Sequence, residues 1–156
     1  MLLLGGKRRQ KDASYNVYNA IGAFSYVVEV DNEQCCGFSN ITGIASEVEV
    51  EPYHEGGRNN YIHMLPKGIV SQRMVLEKGV AINNAFFNWY KKVLQGQIIK
   101  KNVYISLKDN LGENIKKTWM FVGAYPVKWI GPELDGLSTE VAVERIEIVY
   151  SEMIER

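Results

Sequence analysis

From Phe24 onward the chain alternates apolar and polar residues with a period of two. Phe24, Tyr26, Val28 and Val30 fall on one side, Ser25, Glu29 and Asp31 on the other, and only Val27 interrupts. This is the pattern of a half-buried strand. Asp31-Asn32-Glu33 supplies turn chemistry, and Gln34 to Ile41 reads as the returning strand of a hairpin, broken at Gly43. Ala45 to Glu51 predicts a further strand, with Val48 and Val50 on one face and Glu47, Glu49 and Glu51 on the other. Ile69 to Lys78 sets Val70, Met74 and Leu76 against Ser71, Arg73 and Glu77, and Gly79 ends it. Val103, Ile105 and Leu107 then alternate with Asn102, Tyr104 and Ser106. The polar run Asp109 to Asn114 turns the chain into a long strand beginning at Ile115.

One segment changes period. Phe86, Trp89, Tyr90, Val93 and Leu94 are spaced i, i+3, i+4, i+7 and i+8, the apolar stripe of a helix. Asn83 or Asn84 suits its N-cap, Lys91 and Lys92 suit the dipole near its end, and Gly96 suits the C′ stop. An aromatic stripe at this spacing is core rather than a cofactor site.

Thr118 to Tyr150 reads as the organising hairpin: two long strands joined by one tight turn at Gly131 to Gly136. Trp119, Phe121, Tyr125, Val127 and Trp129 are expected on one face, yet Met120, Val122 and Ala124 on the other are also apolar, so both faces should be covered. Pro126 cannot donate to a ladder and marks an edge or a bulge. Val141 and Val143 occupy one parity, while Ile146, Ile148 and Tyr150 occupy the other. A flip of apolar phase near Glu144-Arg145 predicts a bulge, or a strand passing from one sheet to another. About seven strands in hairpin order with one helix predict a mainly β fold, an antiparallel β-sandwich or barrel with a packed α-helix.

Two stretches fit neither period. Residues 1–22 carry Gly5-Gly6 and then Lys7, Arg8, Arg9 and Lys11, and form an N-terminal arm ahead of a single domain at 23–156. Pro52 to Gly68 contains Gly56-Gly57, Asn59-Asn60 and Pro66, yet also Tyr53, Tyr61, Ile62, Met64 and Leu65, which is apolar for a free loop. A long loop in a compact domain is usually functional, and this one is expected to be adhesive.

Composition narrows the function classes. A chain of 156 residues can bury a core without disulfides or metal, and 46% hydrophobic with 23% charged residues is the balance of an ordinary globular protein. Eighteen basic residues against eighteen acidic ones leave no global field to draw in nucleic acid or anionic lipid. The acidic face of Glu47, Glu49 and Glu51 places like charges about 7 Å apart, as a solvated face, a polar channel wall or a docking surface for a basic partner. Met1 to Leu4 is too short for a signal peptide and is followed, not preceded, by its basic cluster. No run reaches the length of a membrane span. Cys35 and Cys36 are adjacent, so on a strand they point apart and read as reduced thiols of a cytoplasmic protein. His54 and His63, nine residues apart beside Glu55, match no standard metal spacing. No nucleophile elbow, phosphate-binding loop, dinucleotide fingerprint or H-E-x-x-H is present, and no catalytic, cofactor or metal residue is assigned.

The run A-Y-P-V-K-W-I-G-P-E-L-D-G from Ala124, followed by E-V-A-V-E-R-I-E-I-V-Y to Tyr150, resembles the C-terminal signature of the contractile-tail tube protein family. N-A-I-G-A-F-S-Y-V-V-E-V-D, the P-K-G after the long loop and the N-x-F-F-N-W-Y helix agree, so the resemblance covers about residues 15 to 152. It implies the tail-tube fold and a structural subunit whose hexameric rings stack into a hollow conduit driven into a target by a contracting sheath. It implies partners as well: sheath protein around the tube, baseplate, spike and terminator proteins at its ends, and DNA or protein cargo in the lumen, without stable membrane association. The family includes phage tail tubes and the inner tubes of extracellular injection systems and bacteriocins; synthesis in the bacterial cytoplasm and incorporation into such a particle follow. Within that frame Lys7, Arg8 and Arg9 of the arm, and Glu55, Gly56, Gly57, Arg58, Asn59, Asn60, Tyr61, Ile62 and His63 of the loop, become candidate subunit-interface residues. Glu47, Glu49 and Glu51 become candidate lumen residues, and the 118–150 hairpin both core and assembly surface. Two rivals remain: a small β-barrel binding module or enzyme with an aromatic-lined pocket, and the type VI secretion tube, which shares the architecture, although the signature favours the phage-like branch.

Overall fold

The computed structural model describes residues 25–31, 33–35, 38–57, 60–70, 72–80, 85–109 and 111–156. Ten strands and one helix follow one another: β1 (Tyr26–Val30), β2 (Glu33–Cys35), β3 (Phe38–Thr42), β4 (Glu47–Tyr53), β5 (His63–Val70), β6 (Arg73–Gly79), α1 (Ala85–Leu94), β7 (Lys101–Lys108), β8 (Ile115–Ile130), β9 (Val143–Val149) and β10 (Glu152–Glu155). Seven strands form one continuous antiparallel path, β2-β1-β7-β8-β9-β6-β3, and β10, added beside β8, makes an eight-stranded sheet; β4 and β5 form a separate two-stranded ribbon.

The path folds over on itself because β8 serves two ladders. Its first part pairs with β7 as far as Ala124 and with β10 from Trp119 to Val122, whereas its last part pairs with β9 from Tyr125 to Ile130. Gly123 stands at the handover with φ of 63° and donates its N–H to Asn102 Oδ1 at 3.2 Å. The two halves face each other across a core of Val28, Val103, Ile105 and Phe121 from one side and Met74, Leu76, Ile146 and Ile148 from the other. Tyr26 Oη donates to the Phe38 carbonyl at 2.8 Å and ties β1 to β3, strands of opposite halves.

Inward positions on β8 do not keep one parity. Phe121 is buried, then Ala124 and Pro126, and Trp129 stands opposite buried Ile146. The first phase change is the bend at Gly123 and the second is a bulge between Pro126 and Lys128. The single face expected from Trp119 to Trp129 is therefore corrected. The bulge expected of Pro126 is present. The flip expected at Glu144-Arg145 is not a flip: Glu144, Ile146, Ile148 and Tyr150 are all buried on one side of β9. Glu144 is tolerated there because Trp129 Nε1 donates to it at 3.0 Å and Lys78 Nζ lies 3.3 Å away. The strand that passes between sheets is β8, and its hairpin to β9 is not tight, since residues 131–142 separate the strands.

Three further expectations change. Gln34 to Ile41 divides into β2, which pairs with β1, and β3, which pairs with β6 in the other half. Ile69 to Lys78 likewise divides between β5 and β6, and the described residues hold ten strands where about seven are expected. Much of Pro52 to Gly68 is strand, because its proline at 66 lies in a ribbon whose strands each keep a free edge. Helix α1 packs Phe86 and Trp89 into the core, with Phe86 edge-on to Phe38 at 5.2 Å and Trp89 Nε1 donating to the Ile99 carbonyl. It ends as expected at Gly96: Gln97 N–H bonds the Lys92 carbonyl and Gly96 N–H that of Val93. Its N-cap, the cysteine side chains and the arm lie outside the described residues.

The outer face of β6, β9 and β8 carries a ladder of opposite charges. Glu147 receives Arg73 at 3.1 Å and Lys128 at 3.2 Å, and Arg145 reaches Glu77 at 2.6 Å. Partial burial alone would raise the Glu147 pKa, but the hydrogen bonds and charges of Arg73 and Lys128 outweigh it and hold the carboxyl below the usual range.

Two outcomes are expected. Gly123→Ala forces a Cβ into a left-handed backbone and toward Ser151 Oγ, lowering unfolding free energy by roughly 1–2 kcal/mol in a urea titration. Because the folded Glu147 pKa is depressed, its contribution is present in full above the ordinary glutamate value of about 4.3 and is lost as pH falls through the lower folded value. The stability difference between wild type and Glu147→Gln should therefore vanish in acid; a difference independent of pH would contradict the pairing.

Candidate assembly surface

The chain leaves the body after Thr42 and returns before Arg73, so β4 and β5 prolong the β3–β6 pair into a projecting ribbon. Gly43 makes the exit possible: its φ is 81°, and a Cβ there would collide with the Arg73 carbonyl oxygen. Tyr150 Oη holds the same root by donating to the Ala45 carbonyl at 2.6 Å.

Cross-strand partners share a face. Val48 pairs with Ile69, Val50 with Pro66 and Pro52 with Met64, so one face of the ribbon is apolar at all six positions. Glu47 pairs with Val70, Glu49 with Gly68 and Glu51 with Leu65, which puts the three glutamates together on the other face, as expected. A bulge between Glu49 and Val50 leaves Lys67 without a directly opposite partner, and its Nζ lies 3.5 Å from Glu49. That extra residue hides the period of two in β5. Gln72 Nε2 also donates to Glu47 at 2.9 Å.

Every residue of β4 is exposed, and on the apolar face Val48, Val50, Met64 and Ile69 are 48–71% exposed. A two-stranded ribbon is marginal in water by itself, and one apolar face adds a cost of hydration. Its turn gathers Glu55, Gly56, Gly57, Asn60, Tyr61, Ile62 and His63; His63 Nε2 lies 3.4 Å from Glu55 Oε1, and the Tyr61 ring stands edge-on to His63 at 4.7 Å. Arg58, Asn59 and the arm residues Lys7, Arg8 and Arg9 lie outside the described residues.

The period of residues 131–142 gave no warning of a second exposed element. Leu134, Leu137 and Val141 are 84%, 95% and 79% exposed on this connection. An aromatic-lined pocket is not what the aromatic residues build: Phe86 packs on Trp89, and Phe121 on Tyr150 at 4.8 Å, filling the core. Among the described residues no three His, Cys, Asp or Glu side chains converge as a metal site.

The family model of the T4-like virus tail tube protein gp19 matches residues 22–154. The fold is similar to a chain of the extended sheath–tube complex of an extracellular contractile injection system, PVC, at 26% identity and a TM-score of 0.81, covering 90% of this chain and 93% of that one. It is also similar to a chain in the structure of the anti-feeding prophage tube-terminating cap, at 23% identity and a TM-score of 0.83, covering 96% and 99%. A type six secretion system protein is a more distant likeness, at 15% identity and 0.52, covering 85% and 83%. Among curated protein sequences nothing matches. The chain belongs to the T4-like tail tube protein family and is a structural subunit of the inner tube of a contractile injection machine.

Proposed function

We propose that this chain closes into hexameric rings that stack as a conduit inside a contractile sheath, with the β4–β5 ribbon as the principal adhesive element. The observation that carries the reading is the ribbon's apolar face, which the described residues leave in water. Covering that face with a neighbouring copy turns a cost of the free subunit into a driving force for assembly. The turn residues Glu55 to His63, with Arg58 and Asn59, and the basic Lys7, Arg8 and Arg9 of the arm extend the contact. The ends of the seven-stranded path, β2 and β3, are edges that a closed ring would satisfy.

The acidic face of Glu47, Glu49 and Glu51 is then the ribbon's wet side, lining the lumen. Similar chains occur in a sheath–tube complex, in a sheath and tube terminator structure and in a baseplate structure, which supports sheath, terminator and baseplate proteins as partners here. The chain performs no catalytic step and holds no cofactor. It is made in the bacterial cytoplasm and carried in the particle, and DNA or protein cargo passes its lumen transiently.

Purified protein at high concentration should show rings or rods by negative-stain microscopy; a strictly monomeric species under all conditions would overturn the reading. Substituting Val48 and Met64 together with serine should leave the fold intact and raise the concentration needed for assembly by at least about tenfold, read by sedimentation. In a map of assembled tubes, the Glu47→Lys, Glu49→Lys, Glu51→Lys variant should reverse the lumen potential at the ribbon, and an unchanged lumen would remove these residues from the wall.

A further inference from the structure

The ribbon and the 131–142 connection leave the same four-stranded half of the fold from opposite ends. In the β3-β6-β9-β8 ladders, Thr42 pairs with Val75, and Arg73 pairs with Val149, which pairs with Tyr125, at the end where the ribbon departs. Phe38 pairs with Lys78, Gly79 with Val143, and Ile130 with Arg145 at the other end, where residues 131–142 depart. Strands of seven residues set these poles roughly 20 Å apart along the strand direction.

The connection is exposed without being slack. Asp135 Oδ1 accepts the Leu137 N–H at 3.0 Å, the Asp135 carbonyl accepts the Ser138 N–H at 3.1 Å, and Ser138 Oγ accepts the Glu140 N–H at 3.1 Å. Val80 N–H fastens its end to the Ala142 carbonyl at 3.0 Å. These bonds hold Leu137, 95% exposed, at the crest of a turn. Ordering a leucine in water by local hydrogen bonds gains nothing for the isolated subunit, and preorganisation lowers the entropic cost of docking.

We infer that residues 131–142 form the acceptor for the β4–β5 ribbon of a second copy, so that subunits stack head to tail through the ribbon's apolar face on Leu134, Leu137 and Val141. The inference rests on the tube reading above and adds to it the opposing surface. Two different patches at opposite ends of one chain make a heterologous contact, the kind that propagates a filament instead of closing a dimer. Charge selects the orientation. Glu133, Asp135 and Glu140 line the same depression as Leu134 and Val141 and would repel the ribbon's glutamate face, which leaves the apolar face to dock and the glutamates in water.

The test substitutes Leu137→Glu in the full chain and follows it by circular dichroism, sedimentation and negative-stain microscopy. A folded variant that stops at single rings where wild type forms tubes is the expected result, since burying one unpaired carboxylate weakens stacking by at least about tenfold. Tubes formed as readily as by wild type would overturn the acceptor. A folded variant unable to form even rings would place the loop within the ring and overturn the axial assignment. Ile69→Lys should give the same arrest, and the Ile69→Lys, Leu137→Glu double variant should stack better than the sum of the two losses allows. Strict additivity would separate the two surfaces. Should wild type itself form neither rings nor tubes, it is the tube reading that fails.

Discussion

The rest of the structure depends on one strand belonging to two sheets. Strand β8 hands its hydrogen-bond ladder from β7 to β9 between Ala124 and Tyr125, and the left-handed turn of Gly123 lets the backbone bend there. The bend folds an eight-stranded sheet over a common core instead of leaving it open and twisted. Each phase change on β8 keeps a large side chain or Pro126 inward while the strand changes direction. The long apolar run of the sequence is thus a strand read three times in different phase, with Phe121 serving one half and Pro126 and Trp129 the other.

A consequence of that fold is a division of labour along the strand direction. The body is self-sufficient: its aromatic residues pack on one another, buried Glu144 is bonded by Trp129 and Lys78, and the outer face of β6, β9 and β8 is neutralised by its own ion pairs. The ribbon and the 131–142 connection are not self-sufficient. Both display apolar side chains in water from backbones held in place, the ribbon by the Gly43 exit and the Tyr150–Ala45 bond, the connection by the hydrogen bonds of Asp135 and Ser138. For a monomer this is a liability; for the subunit of a tube it is the source of association energy.

The ribbon also shows how one pattern serves two environments. Alternation in β4 puts valine and glutamate on opposite faces, the usual signature of a strand half-buried in a sheet. Here neither face meets the chain's own core. The same alternation sorts one face for a neighbour and the other for water, and the bulge at Lys67 keeps the sorting in register across prolines that would otherwise interrupt it.

Much of this was legible in the residues. The period of two placed β1, β4 and β7, the period of 3.6 placed α1, and Gly96 its end, because these signals are local: each side chain's fate follows from its neighbours within a turn or a strand. The glutamate face of β4 and the bulge at Pro126 were equally visible. What was not legible depends on partners far away in the chain. The division of Gln34–Ile41 between two sheets follows from β3 finding β6, and the strand character of β5 is concealed by its bulge. The apparent phase flip at Glu144 dissolves once Trp129 and Lys78 are brought beside it, for a glutamate reads as polar in sequence whatever is bonded to it. By itself, then, the sequence determined the mainly β class, the helix and the family signature, all written in short-range pattern. Only the tertiary structure decided which apolar residues remain uncovered, because exposure is a property of what the rest of the chain fails to reach.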